Sequence, residues 1–384
     1  MEYEILKPPP RRHRTVWILL AVLVVAALGG AAYVLGTHRG ATDTPAHHTT
    51  SPPTSVAHPV SVVATVPATG ATDVPSNQVV TVTLSDPVAT VTAIPTFNPI
   101  VAGTWKKTAT NTLMFAAAAP FLPTVTETLT IPAGLRATSG ATLGAPATVT
   151  FTVAQASTER LQQLLAQENY LPLTFTATNP TMTPAQLVTA QPGTFAWRWP
   201  GLPPDFTSQW SEGSENVITK AALMSFQNQH GLHVDAIAGP AVWTALLADA
   251  AATKSNTQPY VDVLVSKQVP QTLTLYENGA PVMANIAVNT GAPGADTADG
   301  TFPVFEHVPS SRMQGTNLDG STYDDPAVPW ASYFNGGDAL HGFVRASYGT
   351  PQSNGCVEMP IATAAQVWPL TPIGTPVTVI GPPS

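Results

Sequence analysis

Val16–Gly36 (VWILLAVLVVAALGGAAYVLG) is an unbroken run of uncharged, mostly apolar residues. Wound as a helix, a run of this length crosses the roughly 30 Å of hydrocarbon in a bilayer. Lys7, Arg11, Arg12 and Arg14 precede it, whereas Arg39 alone follows closely. That asymmetry predicts a cytoplasmic tail over 1–15, a transmembrane helix over 16–36, and the remainder held outside the cell at the membrane. A cleaved signal peptide is the competing reading. Its apolar region runs about 7–15 residues and ends at a small-residue cleavage site, so the longer run here favours an uncleaved anchor.

That compartment makes the cysteine count informative. Exported chains tend to use cysteines in disulfide pairs, but this chain has one cysteine, Cys356. A lone external thiol is a reactive group, an intermolecular bridge or a buried passenger. Charged residues make up 10 % of the chain, against 39 Pro and 27 Gly. This balance suits β-rich modules on stiff linkers better than long exposed helices. A net charge of −8, with no Lys/Arg cluster beyond the first fifteen residues, excludes a general nucleic-acid binder.

Residues 37–58 are rich in Thr, Pro, Ser and His without apolar spacing, which reads as an extended linker. His47 and His48 belong to it, since no partner motif for a metal stands nearby. Over 59–154, short β-branched runs alternate in period two, as in Val79–Leu84, Thr126–Ile131 and Ala147–Val153. Turn residues separate them, and the pattern predicts an immunoglobulin-like β-sandwich. Over 158–251 the spacing becomes helical, with Leu161, Leu164 and Leu165, then Ala222, Leu223 and Phe226. Gly231 stands where a left-handed cap is wanted, and Gly239-Pro240 opens a further helix. Alternation returns over 259–381, where Glu277-Asn278-Gly279 reads as a hairpin turn. The Gly/Asp/Ser-rich stretch 311–328 has little strand pattern and is expected to be a lid.

The segment VITKAALMSFQNQHGLHVDAIAGPAVWTALL, residues 217–247, resembles the peptidoglycan-binding repeat domain, a small helical bundle. The likeness lies in Phe226-Gln227, Gly231-Leu232, Asp235, Gly239 and Trp243…Leu246. RLQQLLAQENYLPL, residues 160–173, would be its first helix. An insertion over about 174–212, with Trp197, Trp199 and Trp210, and Ala236 in place of the usual Gly are its departures.

HGFVRASYGTPQSNGCVEMP, residues 341–360, sets His341 fifteen positions before Cys356. An imidazole in reach of a thiol can take its proton and make the nucleophilic thiolate. Gly355 allows a close backbone approach, and successive amides there are candidate donors to a developing oxyanion. A core cysteine with an unrelated histidine is the alternative reading of that pair alone.

The surrounding residues resemble the L,D-transpeptidase (YkuD-like) catalytic domain: His-Gly, a gap, then Ser-x-Gly-Cys. Val288-Asn289-Thr290-Gly291, Asp299-Gly300-Thr301-Phe302-Pro303 and PWASYFNGGDALHG support the likeness. The resemblance implies Cys356 as nucleophile and His341 as general base and later acid. It also implies an oxyanion hole from the amides around Gly355 and Cys356 with Asn354, and Ser353 as a loop brace. Its histidine is commonly oriented by a backbone carbonyl. Asp338 is the other candidate for that task, although a loop-surface role suits it better. Asn354 stands where many members have His, and Glu358 where many have Arg or Asn.

Met313, Tyr323, Trp330, Phe334, Arg345 and Glu358 are candidate substrate contacts. Core packing competes for the two large aromatics and plain solvation for Arg345 and Glu358. The implied partners are peptidoglycan stem peptides, with a thioester intermediate and neither metal nor cofactor. The expected architecture is therefore multidomain and mainly β: transmembrane helix, Ig-like β-sandwich, small helical peptidoglycan-binding-like bundle and β-rich catalytic domain. The alternative is a catalytically inactive wall-binding scaffold, with Glu358 as its best support. Oligomeric state is not legible.

Overall fold

A computed structural model describes residues 59–381 apart from 90–93, 180, 182, 184 and 185. The expected cytoplasmic tail, membrane helix and linker lie outside the described residues. Among the described residues no helix is long and apolar enough to cross a membrane. The chain is mainly β and multidomain, with few helices.

The first module holds β1 (Val62–Val66), β2 (Ala71–Val74), β3 (Val80–Leu84), β4 (Thr96–Asn98), β5 (Gly103–Ala109), β6 (Thr112–Ala117), β7 (Thr126–Ile131) and β8 (Ala147–Val153). They form two sheets, ordered β1-β3-β6-β5 and β2-β8-β7-β4. Alternation explains the packing. Val80, Val82 and Leu84 turn inward while Thr81 and Thr83 turn outward, because successive strand residues face opposite sides. They meet Leu129, Ile131, Val149 and Phe151 in one core, closed by Phe97 and Phe121.

The second module contains α1 (Thr158–Gln167), β9 (Leu173–Ala177), β10 (Gly193–Trp197), α2 (Pro204–Thr207), α3 (Val217–Gln229) and α4 (Pro240–Ala251). Ser157 caps α1 through the Arg160 amide at 3.2 Å, and Asn216 caps α3 through the Thr219 amide at 2.9 Å. Both satisfy an otherwise orphaned helix N–H. The first helix is shorter than the 160–173 stretch implied by the peptidoglycan-binding resemblance. It stops at Gln167 because Asn169 turns left-handed at φ +63°, and Leu173 already belongs to β9. The insertion is ordered: β9 pairs with β10 through Phe175 opposite Phe195. Trp197, Trp199 and Trp210 pack against the helical core around Phe206, Phe226 and Trp243.

The third module contains β11 (Val261–Ser266), β12 (Thr272–Glu277), β13 (Ala280–Ala287), β14 (Gly300–Pro303), β15 (Glu306–Thr316), β16 (Thr322–Asn335), β17 (Asp338–Gly342), β18 (Val357–Met359), α5 (Ile361–Val367) and β19 (Pro376–Ile380). One sheet runs β13-β12-β11-β19-β14, the other β15-β16-β17-β18. Val263, Val265, Leu273, Leu275, Leu340, Val357, Met359, Val377 and Val379 are buried together in its core. Asn278 and Gly279 both take positive φ, as a two-residue turn between antiparallel strands needs.

The expected lid is not a loop. Residues 306–335 form a long two-stranded hairpin whose pairing reaches Thr316 opposite Thr322. Backbone pairing holds a polar sequence extended there, so hydrophobic alternation has little to report. The helical module docks closely on this third module at Gly374. A Cβ there would lie 2.6 Å from the Ser225 amide and 2.7 Å from the Ala221 carbonyl of α3.

Candidate active site

β17 and β18 run parallel in the ladder Leu340–Val357, His341–Glu358 and Gly342–Met359. This register sets His341 beside the segment that begins at Cys356. Cys356 and Glu358, two residues apart, share a sheet face, and His341 stands across from the latter. With Asp325, Phe343 and Arg345 among others, they line a cleft of about 160 Å³.

His341 is 3 % exposed, and its Nδ1 lies 3.1 Å from the Gly342 carbonyl. A carbonyl only accepts, so Nδ1 carries the hydrogen and Nε2 keeps its lone pair. Burial draws the imidazole below its ordinary value, more than the Gly342 carbonyl and Glu358 push it up. Burial likewise pushes the Cys356 thiol up to about 12, with Asp338 and Glu358 adding to it. Cys356 is partly buried, and its thiol is directed at the Gly337 carbonyl, 3.7 Å away. Both shifts run toward the uncharged forms of the two groups, because burial penalises charge on either.

The loop before Cys356 is held from several sides. Ser353 Oγ donates to the Cys356 carbonyl at 2.6 Å and accepts the Gly355 amide at 3.2 Å. Thr297 Oγ1 donates to the Gly355 carbonyl at 2.6 Å. Beneath it, Asn289 exchanges backbone bonds of 2.9 and 2.8 Å with Glu358, and Thr290 accepts the Ser353 amide at 3.0 Å. The Val288–Gly291 motif is thus the floor of the Cys356 loop. Asn354 Nδ2 donates to Asn317 Oδ1 at 2.8 Å, tying the loop to the tip of the β15–β16 hairpin.

Of the candidate substrate contacts, Met313, Tyr323, Arg345 and Glu358 line the cleft with Cys356 and His341. Trp330 and Phe334 do not. Trp330 takes φ +63° and packs on Trp368 at 5.3 Å, and Phe334 is buried in the core, 6.1 Å from Phe302. Positions 330 and 334, four apart in β16, share a strand face, and both rings pack on the core, Phe334 buried and Trp330 half-buried. A solvated Arg345 and a solvent-facing Glu358 also give way to a different arrangement: Arg345 Nε and Nη2 donate to the two Glu358 oxygens, each at 2.7 Å.

Asp338 opens β17 half-buried beside Gly355 and makes no bond to His341, whose orienting partner is the Gly342 carbonyl. His307 stacks on Trp368 at 4.1 Å, and burial pushes it down to about 4. Thr297, Asn317, Asp325 and Phe343 were not legible as site residues. Thr297, Asn317 and Asp325 stand in turns or in the polar hairpin, where no motif marks them, and Phe343, although inside the 341–360 segment, is an apolar residue with no chemistry to single it out. Among the described residues no cluster of three or more His, Cys, Asp or Glu is arranged to hold a metal ion.

Comparison with known proteins agrees with this layout. Residues 56–153 match the bacterial Ig-like domain, 211–246 the peptidoglycan binding domain, and 259–379 the L,D-transpeptidase catalytic domain. No curated protein sequence matches the chain. Among solved structures, an L,D-transpeptidase from Mycobacterium smegmatis is 14 % identical, over 84 % of this chain and 100 % of that one, with a TM-score of 0.30. One from Mycobacterium tuberculosis H37Rv is 13 % identical, over 83 % and 98 %, at 0.28. The catalytic domain of the E. faecium L,D-transpeptidase is 23 % identical, over 33 % of this chain and 100 % of that one, at 0.29. Scores this low add nothing to the geometry, so the assignment rests on the domain matches. Along the chain, in order, segments match a bacterial Ig-like domain, a peptidoglycan-binding domain and the YkuD-type L,D-transpeptidase catalytic domain, and the last match supports a cell-wall acyltransferase at the level of that domain family.

Proposed function

We propose that this chain is a cysteine-dependent L,D-transpeptidase acting on peptidoglycan stem peptides outside the cell, anchored by the apolar segment 16–36. One observation carries the reading: the chain's single cysteine and His341 share one cleft, with imidazole Nδ1 bonded to a carbonyl and Nε2 left to accept a proton.

In this scheme the thiol turns from the Gly337 carbonyl toward Nε2 and gives up its proton as Sγ attacks the diamino-acid carbonyl of a tetrapeptide stem. The oxyanion is held by the amides around Gly355 and Cys356, with Asn354 beside them. The Gly355 amide exchanges its resting bond to Ser353 for this one. Collapse breaks the peptide bond to D-Ala, whose amine takes the proton from the His341 imidazolium. A thioester remains on Cys356. An amine of a second stem, losing its proton to His341, attacks the thioester and restores the thiol; the product is a direct cross-link. Water in place of that amine gives trimming. The Ig-like module serves as spacer and the helical module as wall contact.

The test is the intact mass of the protein mixed with a disaccharide-tetrapeptide, beside Cys356→Ala. A gain equal to the stem less D-Ala, absent in the variant, is the expected result. Neither adduct nor product from folded protein overturns the assignment in favour of an inactive wall-binding scaffold.

A further inference from the structure

The wall of the cleft beside His341 holds two opposite charges that acyl transfer itself does not use. Glu358 stands directly across the β17–β18 ladder from His341 and is 4 % exposed. Both its oxygens are taken by Arg345, through Nε and Nη2 at 2.7 Å each. The Arg345 guanidinium carbon lies 4.8 Å from the centre of the Phe343 ring, and that ring stands edge-on to the imidazole at 6.0 Å and 89°. The four side chains form one continuous group, with His341 at one end and Arg345 at the other.

We propose that Arg345 is a positioning residue for His341: by occupying both oxygens of Glu358 it keeps that carboxylate from capturing the imidazole, and so leaves Nε2 free to receive the Cys356 proton. The proposal rests on the Cys356–His341 reading above. A buried carboxylate without a counter-charge, one rung across from an imidazole, would hold a proton on it and remove the base from the reaction. A guanidinium is suited to prevent this. Its planar fork matches a carboxylate with two parallel bonds and stays charged at every relevant pH, whereas a lysine offers one point charge.

Other groups face the imidazole as well. Asp325 acts on it from the hairpin, Tyr323 and Cys356 line the same cleft, and Asp338, at the start of its own strand, acts on the neighbouring Cys356. Glu358 differs from Asp325 in lying opposite His341 in register and in being almost fully buried, where an unpaired charge acts most strongly. The directions agree with this: Glu358 pushes the imidazole up and Arg345 pulls it down, each less than burial does.

The experiment measures the rate of Cys356 alkylation by iodoacetamide against pH, on the full chain. The rate falls in acid as His341 takes a proton, which gives an acid limb. Arg345→Gln is expected to move that limb up by about one pH unit, and Glu358→Gln to move it down. The double variant, with neither charge, is expected to return close to the parent, and Arg345→Lys to fall between parent and Arg345→Gln. If Arg345→Gln fails to fold, the opposite shift in Glu358→Gln and its absence in the double variant still decide the matter. Limbs that stay in place in folded variants overturn the proposal, and so does a uniform loss of rate at every pH, the mark of a structural brace. His341→Ala separates the two levels. If its acid limb persists, the reacting pair itself is wrong; if the limb vanishes while the Arg345 and Glu358 variants leave it unmoved, only the present inference fails.

Discussion

Replacing Gly355 by alanine tests how tightly Cys356 must be held for the proposed reaction. Gly355 sits at φ +120°, a region glycine enters freely and other residues rarely adopt. A Cβ there would also fall on the Asp338 carboxylate, with Cγ 3.2 Å away. The loop has few ways to give. Its carbonyl at 355 is held by Thr297 and its neighbour Cys356 by Ser353, both at 2.6 Å. Backbone strain of about 1–3 kcal/mol, plus the loss of one such bond at about 1 kcal/mol, gives a destabilisation of about 2–4 kcal/mol. Relaxation of the loop instead moves Sγ away from Nε2, and a displacement of about 1 Å lowers turnover about 100-fold. D-Ala release from a tetrapeptide stem gives the rate, and thermal unfolding by circular dichroism gives the stability. Adding Asp338→Ala to Gly355→Ala removes the collision but not the strained φ, so it should restore part of the lost stability and little of the rate. Parental turnover and melting in Gly355→Ala would refute the reasoning.

Three further outcomes follow from the structure. Because burial holds His341 below its ordinary value, D-Ala release should stay level through neutral pH and fall only where the imidazole protonates, below that value; a fall beginning above neutrality would contradict it. Ala236 occupies φ +58° in a turn gripped by Gln227, whose Oε1 accepts the Ala236 amide at 2.9 Å, so Ala236→Gly should stabilise the helical module by about 1 kcal/mol, visible as a higher melting temperature. Glu127 is buried in the sandwich with Oε2 unpartnered, and burial pushes it up to about 7 from 4.5. Its folded value being the higher, stability is full below pH 4.5 and is lost as pH rises through about 7. Glu127→Gln should remove that dependence in melts taken either side of the range.

Much of the fold was legible because its signals are local. Val80-Thr81-Val82-Thr83-Leu84 announces a strand with one buried face, Asn278-Gly279 its turn, and Gly239-Pro240 a helix start, since each depends on the φ range or facing of a few neighbouring residues. The hairpin 306–335 was missed for the same reason. Its outer part, 311–325, is mostly polar on both faces, and pairing of the two strands with each other, rather than a buried stripe, keeps it extended. Within the site, His341 and Cys356 stood out by residue type and spacing, and Ser353 by its place in the motif. Nothing local distinguishes Thr297 or Asp325 from any other turn or surface residue.

By itself, then, the sequence determined the order of modules, the strand-forming segments and the chemical identity of the thiol and imidazole, all properties of residue type and short-range spacing. Tertiary structure decided which side chains meet. Trp330 and Phe334 pack on the core because the β16 face that carries them is covered by Trp368 and Phe302, which come from distant parts of the chain. Arg345 finds Glu358, thirteen positions away, because the chain returns to lay β18 parallel to β17. The directions in which burial moves the Cys356 thiol and the His341 imidazole were also decided there, since desolvation depends on what the whole fold packs around a group and not on its neighbours in the chain.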